Sequence, residues 1–165
     1  MPVKKLKEFL DKEKIKYVCI IHSPAYTAQE VAASAHITGR ELAKTVIVHL
    51  DGETAMAVLP ANRKIVLQDL RDVTGADQVR FVPEDDFKRQ FPDCETGAMP
   101  PFGNLYGMEV YVAESLTENE EIAFNAGSHY ELIRMAYRDF EDVVNPLVMD
   151  FSSAHKREQH ARVLV

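Results

Sequence analysis

The dipeptide Asp51-Gly52 lies between two apolar segments, and it restricts the possible folds of this chain more than any other feature. The segments TVIVHL and ETAMAVL on either side are rich in residues that favour strands. Asp-Gly readily adopts the positive φ angles that a two-residue type I′ turn requires. The pattern therefore predicts a β-hairpin.

Helical spacing of apolar residues comes before and after this hairpin. Val3, Leu6 and Leu10 recur among lysines, which predicts an amphipathic helix ending near Lys14. A threonine followed three residues later by glutamate is the pattern of a capping box, and it predicts the start of a helix. The pattern occurs at Thr27 and Thr38, so we expect two short helices there, the second running into Lys44. Further helices are predicted at 65–75, from Pro83 onward and at 138–144.

Short runs with strand character fill most of the remaining chain. They indicate an α/β protein, a single domain with a central mixed, largely antiparallel sheet flanked by short helices. The runs are YVCIIH, VRFV, MEVYVA, EIAFNAG and ELIRMAY.

Length and charge limit the organisation and the function. The 165 residues suit one compact domain, which we expect to span 1–150, followed by a polar tail at 151–165. No apolar run approaches the roughly 20 residues that cross a bilayer, and a signal peptide is not indicated, so we expect a soluble, cytoplasmic protein without membrane contact. The net charge of −7 argues against broad binding along a nucleic-acid backbone, although it leaves room for a local basic pocket.

The segment GAMPPFGNLYG, at 97–107, is the first candidate for a functional site. Glycine permits conformations that a Cβ forbids and proline fixes φ, so a loop rich in both is held in one shape. The segment could be a turn that covers a sheet edge. Alternatively, the N–H groups of Gly97, Ala98 and Met99 could face a carbonyl or an anion and stabilise negative charge.

Two further places carry polar groups that could take part in chemistry. Lys44 is expected at the junction of a short helix and an apolar strand, where a lysine is usually a solvated helix end. The segment FNAGSHYE places Asn125, Gly127 and His129 between two strands. A lone histidine is more often structural than catalytic.

Other catalytic arrangements lack support. Ser23 and Ser128 each adjoin a histidine, but neither lies in a strand, nucleophile and helix elbow such as GxSxG. The phosphate-binding patterns GxxxxGK[ST] and GxGxxG do not occur. Cys19 and Cys94 show no metal-ligand spacing, so we expect neither a metal site nor a cofactor.

The three candidate segments, taken together with their order and spacing, are specific enough to indicate a family. LAKTVIV, GAMPPFG and FNAGSH resemble, in sequence and spacing, the YbaK and prolyl-tRNA synthetase-associated editing domain family. The resemblance extends from Val3 to about Val148. It implies a free-standing or inserted domain that hydrolyses the ester between a wrong amino acid and its tRNA.

The resemblance also implies roles for individual residues. Lys44 matches the family's functional lysine, which holds the terminal adenosine phosphate or the aminoacyl group. Gly97 and Pro101 match the glycine and proline of its GxxxP loop, whose amides face the substrate carbonyl. We therefore expect the catalytic groups to be Lys44 and the loop residues Gly97, Ala98 and Met99. The substrate-binding residues expected beside them are Met56, Pro100, Pro101, Phe102, Asn125, Gly127 and His129.

An aminoacyl ester is already activated, so the implied mechanism needs only a positioned water and an oxyanion site, with no metal and no protein nucleophile. The expected partner is the 3′ end of a mischarged tRNA. An alternative is a non-catalytic module that binds tRNA ends or an aminoacyl-tRNA synthetase. A hydrolase of small esters or nucleotides is the third hypothesis, and no nucleophile elbow supports it.

Overall fold

Five short α-helices surround a central sheet in the part of the chain that the structure describes. The structure is a computed structural model, and it describes residues 3–25 and 27–154. None of its helices is long and apolar enough to cross a lipid bilayer. The helices are α1 (Lys4–Lys12), α2 (Ala28–Ala35), α3 (Leu67–Thr74), α4 (Glu84–Phe87) and α5 (Tyr137–Val144).

Ten strands occur in the described residues. Eight of them form the central sheet, and the other two form a separate ribbon. The strands are β1 (Tyr17–Ile21), β2 (Leu42–Leu50), β3 (Glu53–Pro60), β4 (Arg63–Ile65), β5 (Val79–Phe81), β6 (Glu109–Ala113), β7 (Glu121–Asn125), β8 (Glu131–Ala136), β9 (Leu147–Met149) and β10 (Ser152–Ala154).

The central sheet is mixed, as the sequence predicts. Its order is β1-β8-β7-β2-β3-β6-β9, and β5 also pairs with β2. The pairs β1–β8, β7–β8, β2–β3 and β2–β5 are antiparallel, whereas β2–β7, β3–β6 and β6–β9 are parallel. The antiparallel pairs β1–β8, β7–β8 and β2–β3 are longer than any of the parallel pairs, which agrees with the expected mixed, largely antiparallel sheet.

The predicted hairpin consists of β2 and β3. Leu50 pairs with Glu53 across the turn, and the φ angles of Asp51 and Gly52 are 51° and 86°. Two consecutive positive φ angles characterise a type I′ turn. The carboxylate of Asp51 also accepts a hydrogen bond of 2.8 Å from the backbone N–H of Gln78, so the turn anchors the segment before β5.

Apolar side chains cover both faces of the sheet. One face packs under α1 and α5, where the ring centroid of Phe102 lies 5.3 Å from that of Phe124 and 5.4 Å from that of Phe140. The other face packs under α2 and α3 and includes Leu42 and Leu70. The buried area on both faces fixes the sheet and therefore the loops at its edges.

The two predicted capping boxes have different outcomes. Thr27 Oγ1 accepts a hydrogen bond of 3.1 Å from the N–H of Glu30, and α2 begins there as predicted. Thr38 makes the corresponding 3.3 Å bond with Glu41, but only one turn follows before β2 begins. The predicted second helix is wrong because the β-branched run after Lys44 favours a strand that pairs with β3.

The end of the described chain packs onto the domain, which moves the expected boundary at residue 150. Phe151 is fully buried, and β10 pairs with β4. Arg63 donates hydrogen bonds of 2.7 Å to Ser152 Oγ and 2.8 Å to Ser152 O. The domain therefore includes at least the residues through Ala154, and the rest of the predicted tail, 155–165, lies outside the described residues.

Candidate functional site

Lys44 lies inside β2, at the point where its parallel neighbour β7 ends. Leu42 and Ala43 pair with Ala123 and Phe124, so the next residue, Lys44, lies level with the last residue of β7. The side chain is partly buried. Burial lowers the pKa of its ammonium, and no charged group among the described residues offsets that effect. Lys44 is therefore not the solvated helix end considered from the sequence.

The edge of β2 beside Lys44 has an opening. One partner, β7, pairs at Leu42 and Ala43, and the other, β5, pairs from Val48 to Leu50. Among the described strands, none pairs with this edge between the two. The opening lies next to the partly buried lysine.

The predicted loop and the predicted turn form one hydrogen-bonded unit. The N–H of Glu95 donates to Gly127 O at 2.7 Å, and the N–H of Gly127 donates to Ala98 O at 2.9 Å. His129 Nε2 lies 2.9 Å from Thr96 O, and because a carbonyl can only accept, Nε2 carries the proton. The structure thus joins segments that are about 30 residues apart in the sequence.

Both glycines of this unit have a positive φ angle. Gly97 has a φ of 89°, and a Cβ there would lie 3.5 Å from His129 Cε1. Gly127 has a φ of 105°, and a Cβ would lie 3.1 Å from Val3 Cγ2. L residues rarely adopt such φ angles, so both positions require glycine for the backbone, and at Gly127 the close side chain of Val3 is a second reason.

The three loop amides expected to face a ligand are not equally available. The N–H of Ala98 donates to Glu95 O at 3.0 Å, so the expectation that it contacts a ligand needs correction. The N–H of Gly97 lies 3.3 Å from Met99 Sδ, and a thioether is a weak acceptor that a better one can replace. Within the described ranges, the N–H of Met99 has no acceptor. Gly97 and Met99 remain the candidate amides.

Several predicted substrate contacts are core residues instead. Phe102 is fully buried between Phe124 and Phe140. Met56 is fully buried and pairs with Ile47 in the hairpin. Side chains alternate between the faces of a strand, so Met56 projects from the face opposite Lys44. Since neither Phe102 nor Met56 has accessible surface, we leave both out of the site. The prolines at 100 and 101 are buried as well and have no N–H to donate.

Glu95 is a residue of this site that the sequence pattern did not indicate. Its carboxylate accepts a hydrogen bond of 3.3 Å from the N–H of His129 and lies 3.9 Å from His129 Nε2. Together with its backbone bonds, Glu95 holds the loop against the turn. No local pattern marks such a residue, because its partners are distant in the sequence.

Polar atoms without hydrogen-bond partners are buried around the same turn. Asn125 Oδ1, Ser128 Oγ and His22 Nε2 have none among the described residues. His22 Nδ1 lies 2.7 Å from Ser23 O and therefore carries the proton, which leaves Nε2 as an acceptor. Ala25 N–H donates to His129 O, so the segment after His22 runs beside the turn. All three atoms can accept a hydrogen bond from a ligand.

A separate cleft of about 470 Å³ lies at the turn end of the hairpin. Its walls include Leu50, Glu53, Tyr106 and Glu109, and none of the predicted site residues lines it. Elsewhere in the described chain, no group of three His, Cys, Asp or Glu side chains is arranged to hold a metal ion.

Comparisons with known proteins agree with the resemblance seen in the sequence. The chain is 26% identical over 141 residues to the prolyl-tRNA editing protein ProX of Acetoanaerobium sticklandii, covering 82% of this chain and 85% of that protein. The fold is similar to that of hypothetical protein APE2540, with a TM-score of 0.81, 21% identity and coverage of 91% of this chain and 100% of the other. It is also similar to that of a proposed trans-editing enzyme for prolyl tRNA synthetase, with a TM-score of 0.77, 16% identity and coverage of 92% and 97%.

A family model described as the aminoacyl-tRNA editing domain matches residues 22–143, which is most of the chain and includes Lys44, the Gly97 loop and the turn at 125–129. The chain therefore belongs to the aminoacyl-tRNA editing domain family.

Proposed function

We propose that this protein is a trans-acting aminoacyl-tRNA deacylase that hydrolyses the ester of a mischarged tRNA in the cytoplasm. The observation that carries the proposal is the joined loop and turn beside a partly buried lysine. The loop offers backbone amides, the turn offers unpaired acceptors, and Lys44 supplies a positive charge. An aminoacyl ester has a matching set of groups, namely a carbonyl, an α-ammonium and a nearby phosphate.

The proposed reaction starts when a positioned water attacks the ester carbonyl carbon. The carbonyl oxygen becomes an oxyanion and takes the place of the Met99 thioether as the acceptor of the Gly97 N–H. The bond between the carbonyl carbon and the ribose oxygen then breaks, and the ribose oxygen takes the proton that the attacking water gives up. The products are the free amino acid and a tRNA with its terminal hydroxyl restored.

Lys44 binds the substrate in this proposal and does not act as a nucleophile. Its ammonium attracts the phosphate of the terminal adenosine or the aminoacyl group, and partial burial strengthens that attraction because less water screens it. The buried acceptors Asn125 Oδ1, Ser128 Oγ and His22 Nε2 are suited to the α-ammonium, which has three N–H donors.

The proposed chemistry requires no metal ion. The leaving group is an activated ribose oxygen, and the developing charge is stabilised by amides that the fold already holds in place. We therefore expect a chelator to leave the deacylation rate unchanged.

The test is a panel of mischarged tRNAs. Because the relative from A. sticklandii is named a prolyl-tRNA editing protein, the panel begins with proline tRNA carrying alanine, cysteine or serine. Correctly charged prolyl-tRNA is the specificity control, and buffer alone gives the background rate. We expect at least one mischarged ester to be hydrolysed well above background. If no ester in a broad panel is hydrolysed faster than in buffer, the proposed enzyme activity is wrong.

The same panel addresses the alternative of a non-catalytic module. That alternative draws support from the amide-rich loop, since amides bind a carbonyl or an anion whether or not a reaction follows. Tight binding of tRNA ends or of a synthetase without ester hydrolysis would favour the binding module over the enzyme.

A further inference from the structure

We propose that the exposed lysines of α1 form a docking surface for the phosphate backbone of the tRNA acceptor end. This inference rests on the proposed function, because it names the surface that holds the tRNA body while the ester enters the site. The lysine face is defined here as Lys4, Lys7 and Lys12, all of which are exposed.

The N-terminal segment is basic in an otherwise acidic protein. Between residues 4 and 16 it contains six lysines and three carboxylates, whereas the whole chain has a net charge of −7. The rest of the chain is therefore more acidic than the total indicates. A polyanion approaching the molecule is attracted to this segment and repelled by most of the remaining surface.

The structure ties α1 directly to the candidate site. At the start of the helix, the N–H of Val3 donates to Ala126 O at 2.9 Å, and its side chain packs against Gly127. The nine residues of α1 span about 13 Å at a rise of about 1.5 Å per residue. That length is enough for α1 to contact several successive phosphates of a nucleic-acid strand. A strand whose 3′ end lies in the site can therefore follow the helix.

The contacts of these lysines are weak enough for phosphates to replace. Lys4 Nζ lies 3.8 Å from Glu8 Oε1, and both side chains are well exposed. Exposed pairs of this kind contribute about 0–1 kcal/mol. Lys7 and Lys12 have no carboxylate partner among the described residues. Lys5 is excluded from the surface because it donates to Leu105 O at 3.1 Å and lies over the ring of Tyr106.

Other basic side chains of the domain are poorer candidates. Arg63 is occupied by its two bonds to Ser152. Arg40 lines a cleft with four glutamates, whose charges would repel a phosphate. Beside the Gly97 loop, the exposed carboxylates of Asp93 and Glu95 disfavour a phosphate path on that side. The helix α1 also has two exposed carboxylates, Glu8 and Asp11, but its four lysines outnumber them. The charges therefore direct the tRNA towards α1.

The test compares the full substrate with a minimal one. The variant Lys4→Gln/Lys7→Gln/Lys12→Gln removes three charges and keeps good helix formers. The control Arg71→Gln/Lys88→Gln/Arg138→Gln removes the same charge at scattered exposed positions. Each protein is assayed on a mischarged tRNA at several salt concentrations and on the same amino acid esterified to adenosine alone.

We expect the α1 variant to lose at least tenfold in kcat/KM on the tRNA at low salt, mostly through KM, and to keep its rate on the adenosine ester. Its salt dependence should flatten by about two to three in log–log slope, as three lost phosphate contacts require. The inference is overturned if the variant matches the wild type on tRNA, if the control loses as much, or if the adenosine ester is affected equally.

Binding of uncharged tRNA, measured by fluorescence anisotropy on the same three proteins, separates this inference from the proposed function. If the wild type hydrolyses neither ester, the enzyme proposal fails. Weaker binding by the α1 variant alone still supports the docking surface, and equal binding by all three proteins contradicts it.

Discussion

At the scale of single residues, Gly97 shows what the sequence could and could not predict. The crowding of glycine and proline predicts a loop held in one shape, and the positive φ of Gly97 agrees with that. The sequence cannot predict what holds the loop, because the partners Gly127 and His129 lie about 30 residues away. Glu95 could not be predicted for the same reason. The acceptor of the Ala98 N–H could not be predicted either, because it depends on the exact geometry of the turn.

Replacing Gly97 with alanine tests the role of this position. The substitution Gly97→Ala forces an L residue to a φ of 89° and places a methyl group 3.5 Å from His129 Cε1. We expect the free energy of unfolding to fall by about 1–2 kcal/mol because of the backbone strain. We also expect deacylation to slow by at least tenfold, because the strained backbone moves the N–H of Gly97 away from the proposed oxyanion position. Denaturant unfolding and single-turnover assays measure the two effects.

Gly52→Ala is the matched control. Gly52 has a nearly identical φ of 86°, and a Cβ there would meet nothing within 4 Å. This variant should lose similar stability and keep the wild-type deacylation rate. Equal rate losses in both variants would mean that strain alone explains the effect and that the Gly97 loop has no special role.

Lys44 should lower the stability of the protein while serving its function. Burial lowers the pKa of its ammonium below the ordinary value of 10.5, so the charged form is less favourable in the folded state than in the unfolded state. The variant Lys44→Met keeps most of the side-chain volume without the charge. We therefore expect it to be at least as stable as the wild type at neutral pH. Lys12→Met, at an exposed position of α1, should change stability little.

The pH dependence of this difference follows from proton linkage. Between the lowered pKa of folded Lys44 and 10.5, the unfolded state binds more protons than the folded state, so the stability of the wild type rises with pH. Urea unfolding at neutral pH and near pH 10 should show the advantage of Lys44→Met shrinking. An advantage that grows with pH would contradict the burial argument.

At the scale of elements, the sequence predicts which segments form strands more readily than it predicts which strands pair with each other. The Asp51-Gly52 turn specified β2, β3 and their register, because turn chemistry acts locally. The strands β4, β9 and β10 were not predicted, since each has three residues and depends on a distant partner. The Thr38 turn shows the competition directly: the capping bond forms, but pairing with β3 decides the structure of the following residues.

The ribbon of β4 and β10 should contribute measurably to stability. Phe151, next to β10, is fully buried in the cluster that contains Leu59 and Leu70. Truncation in Phe151→Ala leaves a cavity, and we expect the free energy of unfolding to fall by about 3–5 kcal/mol. Phe81→Ala, at a side chain that is 49% exposed, should cost only about 1 kcal/mol. Equal losses in chemical denaturation would contradict the assignment of 151–154 to the domain.

At the scale of the whole molecule, the architecture and the family were predictable, whereas the completed site was only partly so. Alternating helical and strand patterns, together with the order of three motifs, suffice for an α/β editing domain. Whether an apolar residue lines the site or belongs to the core is decided by its burial in the structure. Phe102 and Met56 were expected at the substrate because both are apolar and near a motif, yet the same property places them in the core. A single sequence does not distinguish an apolar pocket wall from an apolar core.

The fold also shows where the charges lie relative to the candidate site, which the net charge alone does not. A net charge of −7 argues against a nucleic-acid partner when it is treated as a single number. The structure concentrates lysines on α1, whose first residues contact the turn at Ala126 and Gly127. An acidic protein can therefore present a basic surface at the one place where our proposal requires it.

The central claim is that Lys44 and the Gly97 loop act on an aminoacyl ester in one site. Single-turnover hydrolysis of one mischarged tRNA, compared between the wild type and Lys44→Met, tests it most directly. We predict a rate at least about a hundredfold lower in the variant, at equal or greater stability, because the ester is no longer positioned by the contact of Lys44 with the terminal phosphate or the aminoacyl group while the fold is kept. Equal rates in the two proteins would contradict the account.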